Sequence, residues 1–113
     1  MSLSLHITIH LSPSDLPTFW AAFKPVYEKV IAEPECTFFE VYESADAPGT
    51  VSWVENWSAT KEWFLGVQIV KPYYHEYLAK TEPLFVKPRE VKVLQRVGAP
   101  FVMVKRGNGG VVE

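Results

Sequence analysis

Apolar and polar residues alternate strictly at the start of the chain. Leu3, Leu5, Ile7, Ile9 and Leu11 share one side, and Ser4, His6, Thr8 and His10 the other, which predicts a strand over Leu3–Leu11 with one apolar face. Ser12-Pro13-Ser14-Asp15 follows as a helix start, because a serine hydroxyl can cap free amides and proline is tolerated in a first turn. The period then lengthens to three-and-four. Phe19, Trp20, Phe23, Val26, Tyr27, Val30 and Ile31 mark one stripe of a helix running to about Ala32, in which Pro25 removes one internal bond and should introduce a kink. Glu33-Pro34-Glu35 breaks that helix.

Cys36–Glu43 reads as a second strand, with Phe39 and Val41 opposite Phe38, Glu40 and Tyr42. The turn-forming stretch 45–49 joins it as a hairpin to a third strand, Thr50–Trp57. Ser58 or Thr60 can cap the next helix, which carries Trp63, Phe64, Val67 and Ile69 until Pro72 interrupts it. Residues 73–80 add a further helical turn or two, Pro83 closes them, and a fourth strand is expected over about 89–97.

The order β-α-β-β-α-β predicts an α+β, ferredoxin-like fold, with both helices on one face of a four-stranded antiparallel sheet. Phe38, Tyr42, Trp53 and Trp57, or their alternates, are expected on the other face beside His6, His10, Glu40, Glu55 and Arg96. A sheet with two semi-apolar faces needs cover on both, so a homodimer is expected. The domain should span residues 1–98. Residues 99–113 form a C-terminal extension in which 101–104 can add a strand to a partner's edge before a flexible tail.

Composition narrows the partners. The chain of 113 residues has four Trp, five Tyr and seven Phe, more aromatic surface than one small two-layer core usually needs, so a shared interface or an aromatic-lined cavity is implied. A net charge of −2 with no basic run argues against nucleic acid as a partner. The single cysteine, Cys36, permits no intrachain disulfide or zinc motif, which suits a reducing, cytoplasmic setting, and no signal peptide or membrane span is read. No nucleophile elbow, phosphate loop, dinucleotide fingerprint or metal-binding His-Glu-x-x-His is present.

The hairpin CTFFEVYESADAPGTVSWVENW and the passage from ENWSATKEWFLGVQ to YYHEYL resemble the antibiotic biosynthesis monooxygenase family, over residues 3–98. The shared features are a glutamate-x-tryptophan strand end, a helix after it and a short aromatic-rich turn. YYHEYLAKTEPLFVKPR is most similar to versions from filamentous fungi. The resemblance implies a dimeric α/β barrel, two sheets facing one another across a dimer, with a pocket in each subunit between sheet and helices. It also implies, among other activities, oxidation of aromatic polyketides to quinones with no metal or flavin, so no cofactor is expected. The haem-degrading branch of the family carries an Asn on the first strand and a Trp in the helix after the third; here those places hold Ile7 or Thr8, and about Gly66.

On this reading, His75 is the candidate base or orienting donor. Asn56 is expected to face the helices with Val54, opposite to Trp57, where its amide can polarise a substrate carbonyl. Phe23, Tyr27, Trp57, Trp63 and Tyr74 are the candidate substrate-binding residues. Each has a structural alternative: a histidine bonded to a carbonyl, an amide bonded to backbone, aromatics that only pack. No metal site is expected, since His6 and His10 lie ~13 Å apart on one strand; with Glu40 or Glu55 they suit a polar interface cluster instead. Three functions follow. The first is a cofactor-independent monooxygenase for a small aromatic or polyketide-type metabolite, the second a non-catalytic dimeric module binding a hydrophobic small molecule, and the third haem binding or degradation through His75.

Overall fold

The opening alternation forms a strand, β1 (Leu3–Leu11), at the centre of the computed structural model, which describes residues 2–110. Leu3, Leu5, Ile9 and Leu11 are buried, as one-sided alternation requires. After a 3-10 turn at Pro13–Asp15, helix α1 (Leu16–Ile31) buries Phe19, Phe23, Val26 and Val30 against that face. The helix continues through Pro25, which lies on its exposed side.

Strands β2 (Cys36–Glu43) and β3 (Thr50–Trp57) form the hairpin. Gly49, at φ +91, ends its turn so close to Leu11 that an added Cβ would sit 2.1 Å from the Leu11 carbonyl oxygen. Strand β4 (Phe85–Gln95) completes an antiparallel sheet in the order β2-β3-β1-β4. The expected ferredoxin-like α+β architecture is the one observed.

Three details differ from the expectations. The helix after β3 is α2 (Lys61–Trp63), capped by Thr60, whose hydroxyl accepts the Trp63 amide at 3.1 Å; it passes into a π-helical turn over Phe64–Gln68. Helix α3 spans Tyr73–Thr81. Strand β4 also starts earlier than residue 89. Pro88 cannot donate to a ladder, and the register shifts there: Thr8 pairs with Glu90 and His10 with Lys87, leaving Pro88 and Arg89 opposite Ile9 alone. Such a bulge on an edge strand accommodates the proline without ending the strand.

The third difference is the facing of β3. Ile7 pairs with Trp53, Leu5 with Glu55 and Leu3 with Trp57, so Trp53, Glu55 and Trp57 share the helix-covered face with the buried leucines. Asn56 and Val54 pair with Ser4 and His6 and stand on the opposite face, the reverse of the sequence expectation. Period two identifies which residues share a face; pairing with β1 selects which face is covered.

Candidate active site

A pocket of about 380 Å³ opens between the sheet and the helices. Its floor is Leu5, Ile7, Ile9, Phe39, Trp53 and Glu55 from the sheet. Phe23, Val26, Tyr27 and Val30 of α1 form one wall; Tyr74, His75, Tyr77 and Leu78 of α3 form another, with Phe64, Ile69, Val70 and Arg89 completing it. The volume falls within the range of small-molecule sites, and the lining is mostly apolar with a few polar groups, the composition such sites have.

Phe23 organises the aromatic wall. Its ring lies 5.0 Å from Trp53, 6.1 Å from Tyr27 and 6.0 Å from Tyr77, in tilted, stacked and edge-on arrangements respectively. Tyr27 meets Phe39 edge-on at 5.0 Å. Tyr74 is held from behind by Gln68, which is fully buried on the π-helical turn. Gln68 Nε2 donates to the Tyr74 hydroxyl at 2.9 Å and to the Tyr73 hydroxyl at 2.5 Å, and Tyr73 in turn donates to Glu33 at 3.1 Å. Glu33 also pairs with Lys71. The chain of bonds fixes the Tyr74 ring from the protein surface inward. Burial pushes the phenols of Tyr74 and Tyr77 well above the ordinary tyrosine range, so both remain neutral donors.

Glu55 is the group that sequence reasoning missed. It is only 6% exposed, and its two oxygens accept separate indole N–H groups, Trp53 Nε1 at 2.8 Å and Trp57 Nε1 at 3.0 Å. Burial pushes its carboxyl above the ordinary value of 4.5, while the two indole bonds act in the opposite sense. The signal was present in the alternation Trp53-x-Glu55-x-Trp57, which puts a carboxylate between two indole donors on one face. Arg89, re-aimed at the bulge, and Tyr77 were also missed. Arg89 carried no sequence signal, because its orientation depends on the bulge.

Of the sequence-predicted residues, Phe23, Tyr27, Tyr74 and His75 come together around the pocket, with His75 exposed at the rim. Trp57 and Trp63 do not line it. Trp57 is fully buried behind Glu55, packed on Phe64 at 5.3 Å and Trp63 at 6.3 Å. Asn56 lies on the far face of the sheet, where its Oδ1 is buried with no partner among the described residues. It is not positioned to polarise a group in this pocket. Glu55 likewise cannot join His6 and His10, which bond Ser4 at 2.9 Å and Glu90 at 2.6 Å; Glu40 accepts from Tyr42 instead. The Cys36 thiol is pushed up to about 11, chiefly by burial, and so stays protonated and poorly nucleophilic. Gly66, at the place of the haem-branch tryptophan, is exposed, with open space where a side chain would start.

The chain is 35% identical over 96 residues to "Putative monooxygenase GME11364" of Pestalotiopsis microspora, across 85% of this chain and 80% of that protein. A crystal structure of an antibiotic biosynthesis monooxygenase has the same fold, with a TM-score of 0.74 at 14% identity over 85% of this chain and 99% of that one. SnoaB of Streptomyces nogalater, a cofactor-independent oxygenase, matches with a TM-score of 0.70 at 9% identity over 89% of this chain and 98% of its own. No family model matches the chain. The likeness to solved structures establishes the architecture, and the fungal relative ties the sequence to the monooxygenases that share it: this chain belongs to the antibiotic biosynthesis monooxygenase family.

Proposed function

We propose that the protein is a cofactor-independent monooxygenase acting on a small, flat aromatic of the anthrone or phenol type, bound in the pocket between sheet and helices. The observation that carries this reading is the pocket itself, about 380 Å³ walled by Phe23, Tyr27, Trp53 and Tyr74, with Glu55 on its floor and His75 and Arg89 on its lining. Apolar rings accept a planar substrate by stacking and edge-on contact, and the few polar groups orient it. The family membership supports oxygenation, and the cofactor-independent activity named for SnoaB supports chemistry in which the substrate itself reacts with O2. For an anthrone, the methylene carbon becomes a carbonyl by taking one atom of O2, and the second oxygen leaves as water with the two hydrogens. His75 serves at the rim as a donor that orients the substrate oxygen.

Oxygen uptake with anthrone tests this. Purified protein should consume one O2 per anthrone and yield the quinone above the spontaneous rate. Val70→Trp, a change at an exposed lining position, should lower kcat/KM by about tenfold or more by obstructing the site. Uptake no faster than the spontaneous rate, together with no binding of the quinone, would sink the proposal.

The assembly we propose is a homodimer formed through the outer face of the sheet. This face carries Phe38 and Val54 among half-buried polar residues, and it holds the unpaired Asn56 Oδ1. Beyond it, Phe101 is 82% and Met103 73% exposed, an apolar run of a kind that marks contact surfaces.

A further inference from the structure

The geometry points to Glu55 as the catalytic base that takes the substrate's acidic proton at the floor of the pocket, an assignment resting on the oxygenase reading above. Several observations converge on it. Glu55 lines the cavity and is buried, yet none of the ion pairs among the described residues involves it. Each carboxylate oxygen receives a single indole N–H, which leaves further lone-pair capacity on both. A buried carboxylate with no cation paired to it, Arg89 lining the same pocket but forming no ion pair with it, is held in place but poorly compensated, so a donor presented by a ligand meets a strong acceptor.

The surroundings leave few rivals for the role. From α3, Tyr74 and Tyr77 face the same space as neutral phenols that can donate but not accept a proton at neutral pH, and His75 lies at the rim. From β4 comes Arg89 and from α1 Tyr27; Cys36 on β2 also lies within the field of the Glu55 charge and is kept protonated. Burial makes the Glu55 carboxylate a stronger base than one in water, which brings it nearer the acidity of an activated C–H or phenolic O–H.

The proton balance closes without a resident cofactor. The substrate C–H or O–H bond breaks, its electron pair stays on the substrate as an enolate or phenolate, and an O–H bond forms at Glu55. The substrate anion is then oxidised by O2 to a peroxide anion. Loss of hydroxide leaves the carbonyl, and the Glu55 proton converts that hydroxide to water, restoring the carboxylate.

Glu55→Gln is the test, because it preserves shape while removing the base. In the wild type, kcat with anthrone should fall as pH drops through a midpoint above the ordinary carboxyl value of 4.5. In Glu55→Gln that acid limb should vanish and kcat fall by about a hundredfold or more, while anthraquinone binding, read by quenching of tryptophan fluorescence, changes less than about threefold. A variant that folds, binds and keeps kcat within about tenfold of wild type overturns the assignment to Glu55 and leaves the oxygenase reading standing. A wild type that neither binds anthraquinone nor oxidises anthrone overturns both. Should the variant not fold, difference infrared titration of the wild type decides: the buried carboxyl band should titrate with the acid limb of kcat, and a midpoint that does not coincide rejects Glu55 as the base.

Discussion

A carboxylate between two tryptophans is costly to bury and is held by two hydrogen bonds, and Glu55 expresses both facts in how stability depends on pH. Its folded carboxyl lies above the ordinary value of 4.5, so at acid pH it is protonated in folded and unfolded chains alike. As pH rises past 4.5 the unfolded chain ionises first, the folded state holds the extra proton, and stability contributed at this site falls until the folded carboxyl has also ionised. Urea denaturation between pH 4.5 and 7.5 should therefore show a smaller loss, or a larger gain, of stability with pH in Glu55→Gln than in wild type. The exposed carboxylates Glu76 and Glu90, lowered by Lys80 and His10, are common to both proteins and cancel in the difference. Equal slopes would mean that Glu55 does not titrate in this window. Trp57→Phe removes one donor to the carboxylate and part of a fully buried ring. It should cost roughly 2–4 kcal/mol in the same measurement.

Among the elements, the β2–β3 turn and the π-helical turn make opposite demands on their glycines. Gly49 has a positive φ and meets the Leu11 carbonyl where a Cβ would stand, so Gly49→Ala should destabilise by about 3 kcal/mol or more and loosen the hairpin against β1. Gly66 has neither constraint. Gly66→Ala should leave the fold intact and raise stability by about 0.4–1 kcal/mol, because alanine reduces the freedom of the unfolded chain. The contrast, read by thermal or urea unfolding, checks whether the π-helical turn that holds Gln68 and Tyr74 tolerates side chains on its outer side. A large loss at Gly66 would show that this turn is packed against something. The bulge at Pro88–Arg89 belongs to this scale as well: it lets an edge strand carry a proline and supplies Arg89 to the pocket.

For the whole molecule, one sheet face is covered by α1 and α3 and the other is half-buried and polar, with an exposed apolar extension beyond it. Sedimentation equilibrium at micromolar concentration should give twice the chain mass, and a persistent monomer would refute the proposed dimer. No helix among the described residues is long and apolar enough to cross a membrane. Within the extension, residues 101–104 form no strand in the described chain; Val104 and 108–110 border an open groove with α1 and β2. Truncation after Gly98 should lower dimer affinity while leaving the unfolding temperature of the domain within about 4–8 °C, a shift of order 1 kcal/mol for a domain of this size.

The sequence by itself determined the local elements and their order. Period two in Leu3–Leu11, the three-and-four stripe from Phe19 to Val30, and prolines at 13, 72 and 83 act through bonds and neighbours a few residues away, so composition and spacing suffice to read them. The same locality made Phe23 and Tyr27 legible on the apolar stripe of the first helix, while Tyr74 and His75 were legible in the aromatic-rich YYHEYL segment that carries the family resemblance. Tertiary pairing alone decided that Trp53, Glu55 and Trp57 turn inward and Asn56 outward, because a strand's two faces are equivalent until a neighbour's register distinguishes them. It also decided the bulge that brings Arg89 to the pocket, and the pocket itself. A void is set by how closely distant elements approach, and no residue's own volume or periodicity carries that information.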